Sequence, residues 1–340
     1  MKVDLKGLNA TETGKWVNEL GLEKYRASQI RHWIFKRLIS DFSQMTNVSR
    51  KVKDLLYEKA NLNHLETIKV QESKDTTKKF LFRINDGQHI ESVLIPEKGH
   101  FTLCVSSQVG CAMTCRFCLT GMQGFTRNLT SAEIVDQVIQ VKRSMEEPDL
   151  LTNIVFMGMG EPLANYQHVK GAIDNLISDE GMNYSHRRVT LSTCGISPMI
   201  RRLGRDTKVS LAISLNAADD ETRDFLMPVN RTYNLKDLIS ACREFPLTNR
   251  KMITFEYILI GGVNDSPEDA KKITRLLAGL RAKINLIPFN ECPGLDLKTP
   301  DMRDVIAFQD ILVDNKFTAI IRKSKGRDIS AACGQLRGEL

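Results

Sequence analysis

No stretch of this 340-residue chain approaches the ~18 consecutive apolar residues of a membrane span. The opening Met1-Lys2-Val3-Asp4-Leu5-Lys6-Gly7 also lacks the apolar core of a secretory signal. Membrane insertion is therefore not expected, and a cytoplasmic location is. There is no internal repeat and no low-complexity segment, and with 42% apolar and 26% charged residues disorder is excluded as the main state. An acidic excess is missing too: 48 Lys and Arg stand against 41 Asp and Glu, a formal charge of +7 that admits an anionic partner without requiring one. In a reducing compartment the eight cysteines (104, 111, 115, 118, 194, 242, 292 and 333) do not form a disulfide framework, so metal binding or catalysis is the better reading.

The length suits a large α/β core with an appendage. Residues 1 to about 60 read as helical, since Ile30, Trp33, Ile34 and Leu38 fall on one stripe of a helix. Lys24, Arg26, Arg31, Lys36 and Arg37 lie on or beside it, either as a solvated face or as an RNA contact. Two alternating segments, Lys79 to Ile84 and His89 to Ile95, flank Asn85-Asp86-Gly87 and predict a β-hairpin ending at Pro96. Strand patterns then recur near 102–106, 153–157, 188–193, 208–214, 253–260 and 283–288, with a seventh near 317–322. Helical patterns at 131–145, 166–177, 234–244, 267–278 and 302–314 lie between them. Thr130 followed by Glu133 marks a capping box. Repeated βα units predict a parallel sheet curled into a partial barrel, with chemistry at the C-terminal ends of the strands. The domains expected are an N-terminal helical accessory domain (1–64), a β-hairpin linker (65–96), the barrel core (97–328) and a C-terminal tail (329–340). Residues 322–328, basic and glycine-containing, read as a mobile loop.

After the first barrel strand comes Gly110-Cys111-Ala112-Met113-Thr114-Cys115-Arg116-Phe117-Cys118, a C-x3-C-x2-C arrangement. A structural zinc site uses four ligands, normally in C-x2-C pairs, and here would have to borrow Cys104 or a histidine. A [4Fe-4S] cluster usually takes four cysteines, so three leave one iron open to another ligand. Gly158-Met159-Gly160-Glu161-Pro162 follows an apolar strand. Its glycines permit close backbone approach and its carboxylate accepts hydrogen bonds from an ammonium, though the segment also reads as a plain turn. Ser192, Ser214, Leu215, Asn216 and Asn290 sit at strand ends, where satisfied loop groups are the ordinary reading. Cys194, Cys242 and Cys292 read as buried structural cysteines.

The cysteine spacing resembles the signature of the radical S-adenosylmethionine (SAM) superfamily. Leu103 to Cys111, Gly124-Phe125 with Arg127-Asn128-Leu129, Met157 to Pro162, Asp328-Ile329 and Ala332 to Leu336 together resemble the RlmN/Cfr family of RNA adenine methyltransferases across most of the chain. The resemblance implies a radical SAM partial (β/α)6 barrel that methylates adenine C2 in 23S rRNA and in tRNAs, using two SAM per turnover. It implies a [4Fe-4S] cluster with an exchangeable iron on Cys111, Cys115 and Cys118. SAM contacts fall on Gly160, Glu161, Ser192, Ser214, Leu215, Asn216 and Asn290. Many relatives carry His where this chain has Asn216; a backbone contact survives that change. Adenine C2 is electron-poor, so a first SAM methylates Cys333 and a 5′-deoxyadenosyl radical from a second activates that methyl. Glu91 is implied as proton acceptor, and Cys104 forms a transient disulfide with Cys333 to release the product. Lys323, Lys325 and Arg327 are expected to favour the Cys333 thiolate. A reductant such as flavodoxin with its reductase is implied, and the enzyme is expected to be a monomer. The C8-methylating branch of the family is the near alternative, and a non-catalytic zinc-stabilised RNA-binding protein the distant one.

Overall fold

The computed structural model describes residues 2–248, 251–292 and 294–338. Its main sheet has ten strands: β1 (Glu66–Glu72), β2 (Lys78–Arg83), β3 (His89–Glu97), β4 (His100–Cys104), β5 (Leu151–Phe156), β6 (Val189–Thr193), β7 (Ser210–Ser214), β8 (Ile253–Leu259), β9 (Ala282–Pro288) and β10 (Thr318–Ile321). Their order in space is their order along the chain. Strands β1 to β4 pair antiparallel, and β4 to β10 pair parallel. Parallel neighbours need long crossovers. Here these carry the helices Ser131–Ser144, Tyr166–Ile177, Ser197–Asp206, Asp220–Leu226 with Leu235–Glu244, Pro267–Leu276 and Met302–Asp314. This is the expected partial (β/α)6 barrel, with the seventh strand present.

Strands covered on both faces must be apolar almost throughout. Leu191, Ile213, Phe255, Tyr257, Ile284 and Leu286 are accordingly buried. Each contributes ~1.5–3 kcal/mol through burial. The capping box closes as the sequence indicates: Glu133 N donates to Thr130 Oγ1 at 3.2 Å and Thr130 N donates to Glu133 Oε2 at 2.8 Å.

The structure departs from the sequence expectations in four places. The hairpin is part of a three-stranded meander, and β3 pairs with β4, so it continues the barrel sheet. Helix Ser197–Asp206 is hidden in the sequence by Gly195 and Pro198, yet proline is tolerated in a first helical turn. Among the basic residues near Ile30, Arg31 points inward, donating to Leu8 O at 2.7 Å and Asn175 Oδ1 at 2.8 Å. The 322–328 loop is held down rather than free. Gly326 N donates to Asp75 Oδ2 at 2.9 Å, Lys325 Nζ donates to Pro96 O, and Asp328 accepts from Ser73 Oγ and from Lys74 N at 3.1 Å.

The N-terminal segment packs three helices, Ala10–Glu19, Tyr25–Phe35 and Arg50–Lys59, beside a parallel strand pair, Val3–Asp4 with Ala60–Asn61. Its joint with the barrel is buried and polar. Lys6 Nζ lies 2.6 Å from Asp136 Oδ1, and Asp136 Oδ2 accepts from Leu65 N at 2.7 Å. Among the described residues no helix is long and apolar enough to cross a membrane.

Candidate active site

The site is built on the loops that follow β4 and β5. Gln137, on the helix Ser131–Ser144, accepts from Ser106 N at 2.8 Å and donates to Ser106 O at 2.9 Å. That fixes the loop after β4. The loop after β5 is stitched to it: Ser107 N donates to Met159 O at 2.8 Å, and Glu161 N donates to Gln108 Oε1 at 2.8 Å. Gly160, at φ +96°, has no room for a side chain, since a Cβ there would lie 2.5 Å from Gln108 Cβ.

The cysteine loop leaves this platform at Gly110 (φ +70°), where a Cβ would fall 1.9 Å from Gly124 O. Cys111 N donates to that same carbonyl at 2.8 Å. The loop packs on an apolar cluster of Phe117, Cys194, Leu226, Met227, Ile260 and Phe289. Cys111, Cys115 and Cys118 line one cavity of about 160 Å³ together with Gly160, Glu161, Ser192, Ser214, Asn216 and Cys333. Among the described residues no three Cys, His, Asp or Glu are grouped closely enough to share one ion. A four-iron cluster does not ask for that, because each thiolate ligates a different iron. An all-thiol donor set around a common cavity fits such a cluster.

Glu161 is buried, with Oε1 accepting from Leu163 N at 2.9 Å and Oε2 from Cys194 N at 2.7 Å. Burial raises this carboxyl above its ordinary range, and the Cys194 amide opposes the rise. A carboxylate in such surroundings favours a cationic partner. Asn216 adopts φ +57°, a left-handed conformation that asparagine tolerates. Its side chain is engaged, accepting from Ile258 N at 2.8 Å and directing Nδ2 at Met227 Sδ 3.2 Å away. Leu215 and Asn290 are buried at the same strand ends but do not line the cavity.

The C-terminal tail seats Cys333 over the cysteine loop. Leu119 N donates to Gly334 O at 2.8 Å, and Thr120 Oγ1 donates to Leu336 O at 2.7 Å. Gly334 has φ +82°, and a Cβ on it would approach Phe117 O to 2.9 Å. Cys333 reaches solvent through the cleft that it lines, but its thiol is pushed up to about 11 instead of down. Enclosure by the cleft is the first cause and the Glu256 carboxylate the second, with Arg322 opposing. The cations expected to favour the thiolate are not what governs it, and Lys325 is engaged by Pro96 O. Cys104, at the end of β4, is a buried free thiol that burial and then the nearby Cys333 push above its ordinary value.

Glu91, on β3, lies outside the cavity lining and is buried. Its Oε1 is 2.9 Å from Lys79 Nζ, and its Oε2 accepts from Arg337 N at 2.7 Å and Gly338 N at 3.1 Å. In this structure it clamps the tail. Two cavity residues escape a reading of the sequence. Glu256, on β8, lines the cavity, accepts from Asn285 Nδ2 at 2.9 Å and is raised by burial. Cys194, merely structural by its sequence surroundings, lines the same cavity. Its signal in the sequence is its place directly after β6.

Comparison with known proteins bears on this site directly. Residues 105–276 match the Radical SAM superfamily, and residues 3–62 match the ribosomal RNA large subunit methyltransferase N-terminal domain. A dual-specificity RNA methyltransferase RlmN from Desulfosudis oleivorans is 50% identical over 338 residues, covering 99% of this chain and 91% of its own. One from Syntrophus aciditrophicus is 51% identical, covering 99% and 97%. This chain belongs to the RlmN family. A crystal structure of a radical SAM methyltransferase from Sphaerobacter thermophilus superposes with a TM-score of 0.94 at 44% identity, covering 99% of this chain and 100% of that one. The RlmN-type N-terminal match coincides with the three-helix segment, and the radical SAM match runs from the residue after β4 to the end of the helix Pro267–Leu276.

Proposed function

We propose that this chain is a dual-specificity RNA methyltransferase that methylates adenine C2 in 23S rRNA and in tRNAs, carrying the methyl group on Cys333. What supports this is the single cavity into which Cys333 and the C-x3-C-x2-C loop both project, with Glu161, Ser192 and Ser214 along its wall. Cys111, Cys115 and Cys118 would hold a [4Fe-4S] cluster, and Gly160, Glu161, Ser192, Ser214, Leu215, Asn216 and Asn290 would bind SAM. When bound, the cluster and SAM supply a methyl group for a thiol and a 5′-deoxyadenosyl radical.

The chain's own residues do the rest. Glu161 receives the methionine ammonium, its two amide partners leaving lone pairs free. Cys333 Sγ accepts the methyl group as a nucleophile, after losing its proton. The tail bonds from Gly334 and Leu336 hold that sulfur over the cavity, and such orientation is worth up to ~7–11 kcal/mol of barrier. Glu91 serves as proton acceptor at the ring carbon once its carboxylate exchanges the tail amides for substrate. Cys104, as the thiolate, then attacks Cys333 Sγ and breaks the Cys333 sulfur–methylene bond; the electron pair stays with the carbon, which takes a proton to become the methyl group, the base is released, and a dithiol reductant returns the Cys104–Cys333 disulfide to two thiols. The target base leaves its stack to reach the cavity, and phosphate contacts hold the RNA around the mouth and along the N-terminal segment. The enzyme works as a cytoplasmic monomer with a flavodoxin-type reductant.

The test is nucleoside mass spectrometry of unmethylated 23S rRNA and tRNA after anaerobic incubation with the reconstituted enzyme, SAM and reductant. 2-Methyladenosine in both RNAs is expected. 8-Methyladenosine would move the chain to the C8 branch. A cluster-loaded enzyme that makes neither product would refute the RNA substrate, and a preparation binding zinc without iron or sulfide would favour the non-catalytic reading.

A further inference from the structure

Arg223 lies on the helix Asp220–Leu226 and is completely buried. Its guanidinium reaches the ends of two barrel strands at once. Nη2 donates to Cys194 O, just past β6, at 2.6 Å and to Ser214 O, the last residue of β7, at 3.2 Å. Nε donates to Leu215 O at 3.0 Å, and Nη1 donates to Asn230 Oδ1 at 2.8 Å. None of these four acceptors carries a charge. Asp220 is the carboxylate nearest in the electrostatics, and its Oδ1 accepts from Asn230 Nδ2 at 2.9 Å and from Leu235 N at 3.0 Å. Asn230 stands between the two.

A cation buried among neutral partners is costly, and such a charge persists where an anion arrives to meet it. The helix that carries Arg223 meets the cysteine loop directly: Arg116 N, next to the cluster cysteine Cys115, donates to Leu226 O at 3.0 Å, and Cys115 packs on the same apolar cluster as Cys194, whose carbonyl Arg223 holds. A cubane in its oxidised 2+ state held by three thiolates carries a net charge of −1, which becomes −2 on one-electron reduction. A fixed positive charge buried beside the wall of that cavity, in a medium of low dielectric, therefore favours the reduced form, and net charge and hydrogen bonding are what set such potentials. The same side chain also shapes the cofactor wall. The Cys194 backbone links it to Glu161, whose Oε2 accepts from Cys194 N at 2.7 Å. Gly195, at φ +116°, makes room, since a Cβ there would press to 3.3 Å from Nη2.

We propose that Arg223 is a positioning residue for the radical reaction: it ties the ends of β6 and β7 into the SAM-binding wall and holds the positive charge that makes the cluster reducible. This rests on the cluster and SAM assignments above. The ordinary alternative is a guanidinium that only braces two loops, and a redox potential separates the two.

The experiment uses the full chain, anaerobically reconstituted, with redox titration followed by electron paramagnetic resonance and with SAM binding to the loaded protein. Wild type must load the cluster and change its signal with SAM. If it does not, the functional reading itself falls. Arg223→Gln keeps amide donors but removes the charge. Its reduction equilibrium is expected to drop at least tenfold, ~59 mV for one electron. Arg223→Lys keeps the charge but lacks the planar fork. It should stay within threefold of wild type in reduction and bind SAM at least tenfold more weakly. A loaded Gln variant with the wild-type potential overturns the proposal. Where the Gln variant does not fold or load, the Lys variant decides: loading with reduction within threefold of wild type and weakened SAM affinity supports the proposal, while a tenfold loss of reduction, wild-type SAM affinity or failure to load overturns it.

Discussion

Replacing Glu91 separates two roles, a proton acceptor and a clamp on the tail. Its Oε2 accepts two backbone amides, Arg337 N at 2.7 Å and Gly338 N at 3.1 Å, while its Oε1 holds Lys79 Nζ at 2.9 Å. Hydrogen bonds to a charged group contribute ~1.5–3 kcal/mol each, so the two amides together hold the tail by ~3–6 kcal/mol. At ~1.4 kcal/mol per tenfold, removing both shifts the docking equilibrium by roughly 10²–10⁴. Glu91→Ala alone also strands a nearly buried ammonium, whose other acceptor is Ser330 O at 3.4 Å. Breaking such a pair from one side costs about 3–5 kcal/mol of global stability. The cleaner perturbation is the double variant Lys79→Met with Glu91→Leu, which removes both charges and keeps apolar volume. It is expected to fold with near wild-type stability and to expose the tail. Hydrogen exchange read by mass spectrometry on peptides spanning 329–340 should accelerate by 10² or more, with β2 and β3 unchanged. Protection of those peptides within twofold of wild type would refute the clamp.

Four further outcomes are expected. Asp136→Ala should cost ~3–5 kcal/mol in denaturant unfolding because it takes the ion-pair partner from the buried Lys6 and leaves it Asn63 O and His64, whereas Lys6→Met with Asp136→Leu should recover most of that loss. Burial pushes the Asp136 carboxyl up, but Lys6 and the hydrogen-bond donors around it outweigh that and hold it at about 2 against an ordinary 3.8. Its contribution of ~2 kcal/mol is therefore complete above pH 3.8 and disappears as pH falls toward 2, so Asp136→Asn should flatten acid denaturation in that window. Cys333→Ala should accept no methyl group, while Cys104→Ala should accept one and stall as a protein–RNA adduct, both read by intact mass; normal turnover of Cys104→Ala would remove it from the mechanism. Replacing the exposed Lys24, Lys36 and Arg37 by Ser should weaken RNA binding and lower its salt slope by about 1 for each phosphate that is no longer neutralised. An unchanged slope would take RNA binding away from that helix.

The barrel strands and most crossover helices are legible in the sequence because each buries a periodic apolar face, and periodicity survives there. Helix Ser197–Asp206 is not, since its start carries the residues that usually break a helix. The cavity wall is legible where residues sit at strand ends, as Ser192 and Ser214 do. It is not for Arg223, which reaches those ends from a later helix, because sequence carries no signal for a hydrogen bond to a distant carbonyl. Arg31 shows the same limit from the other side. Its neighbours give it the look of a surface charge, but its guanidinium is buried against Leu8 O and Asn175. The 322–328 stretch deceives for a related reason: basic and glycine-bearing, it reads as mobile until the partners on the meander are known.

Those partners explain why β1 to β3 belong to the barrel sheet instead of hanging from it as a linker. The C-terminal segment is bound at two ends. Asp75 and Ser73, in the turn between β1 and β2, take Gly326 N and Asp328, and Glu91 on β3 takes Arg337 N and Gly338 N. Between these anchors, the carbonyls of Gly334 and Leu336 meet Leu119 N and Thr120 Oγ1, which directly follow the last cysteine of the C-x3-C-x2-C loop. The position of Cys333 is thus set from the meander on one side and from the cysteine loop on the other. A meander that drifted relative to β4 would carry the sulfur away from the cavity. Continuous pairing from β3 to β4, Val93 opposite Cys104 and Leu94 opposite Leu103, prevents that drift. It also keeps Cys104 in fixed register with the sheet that holds the tail.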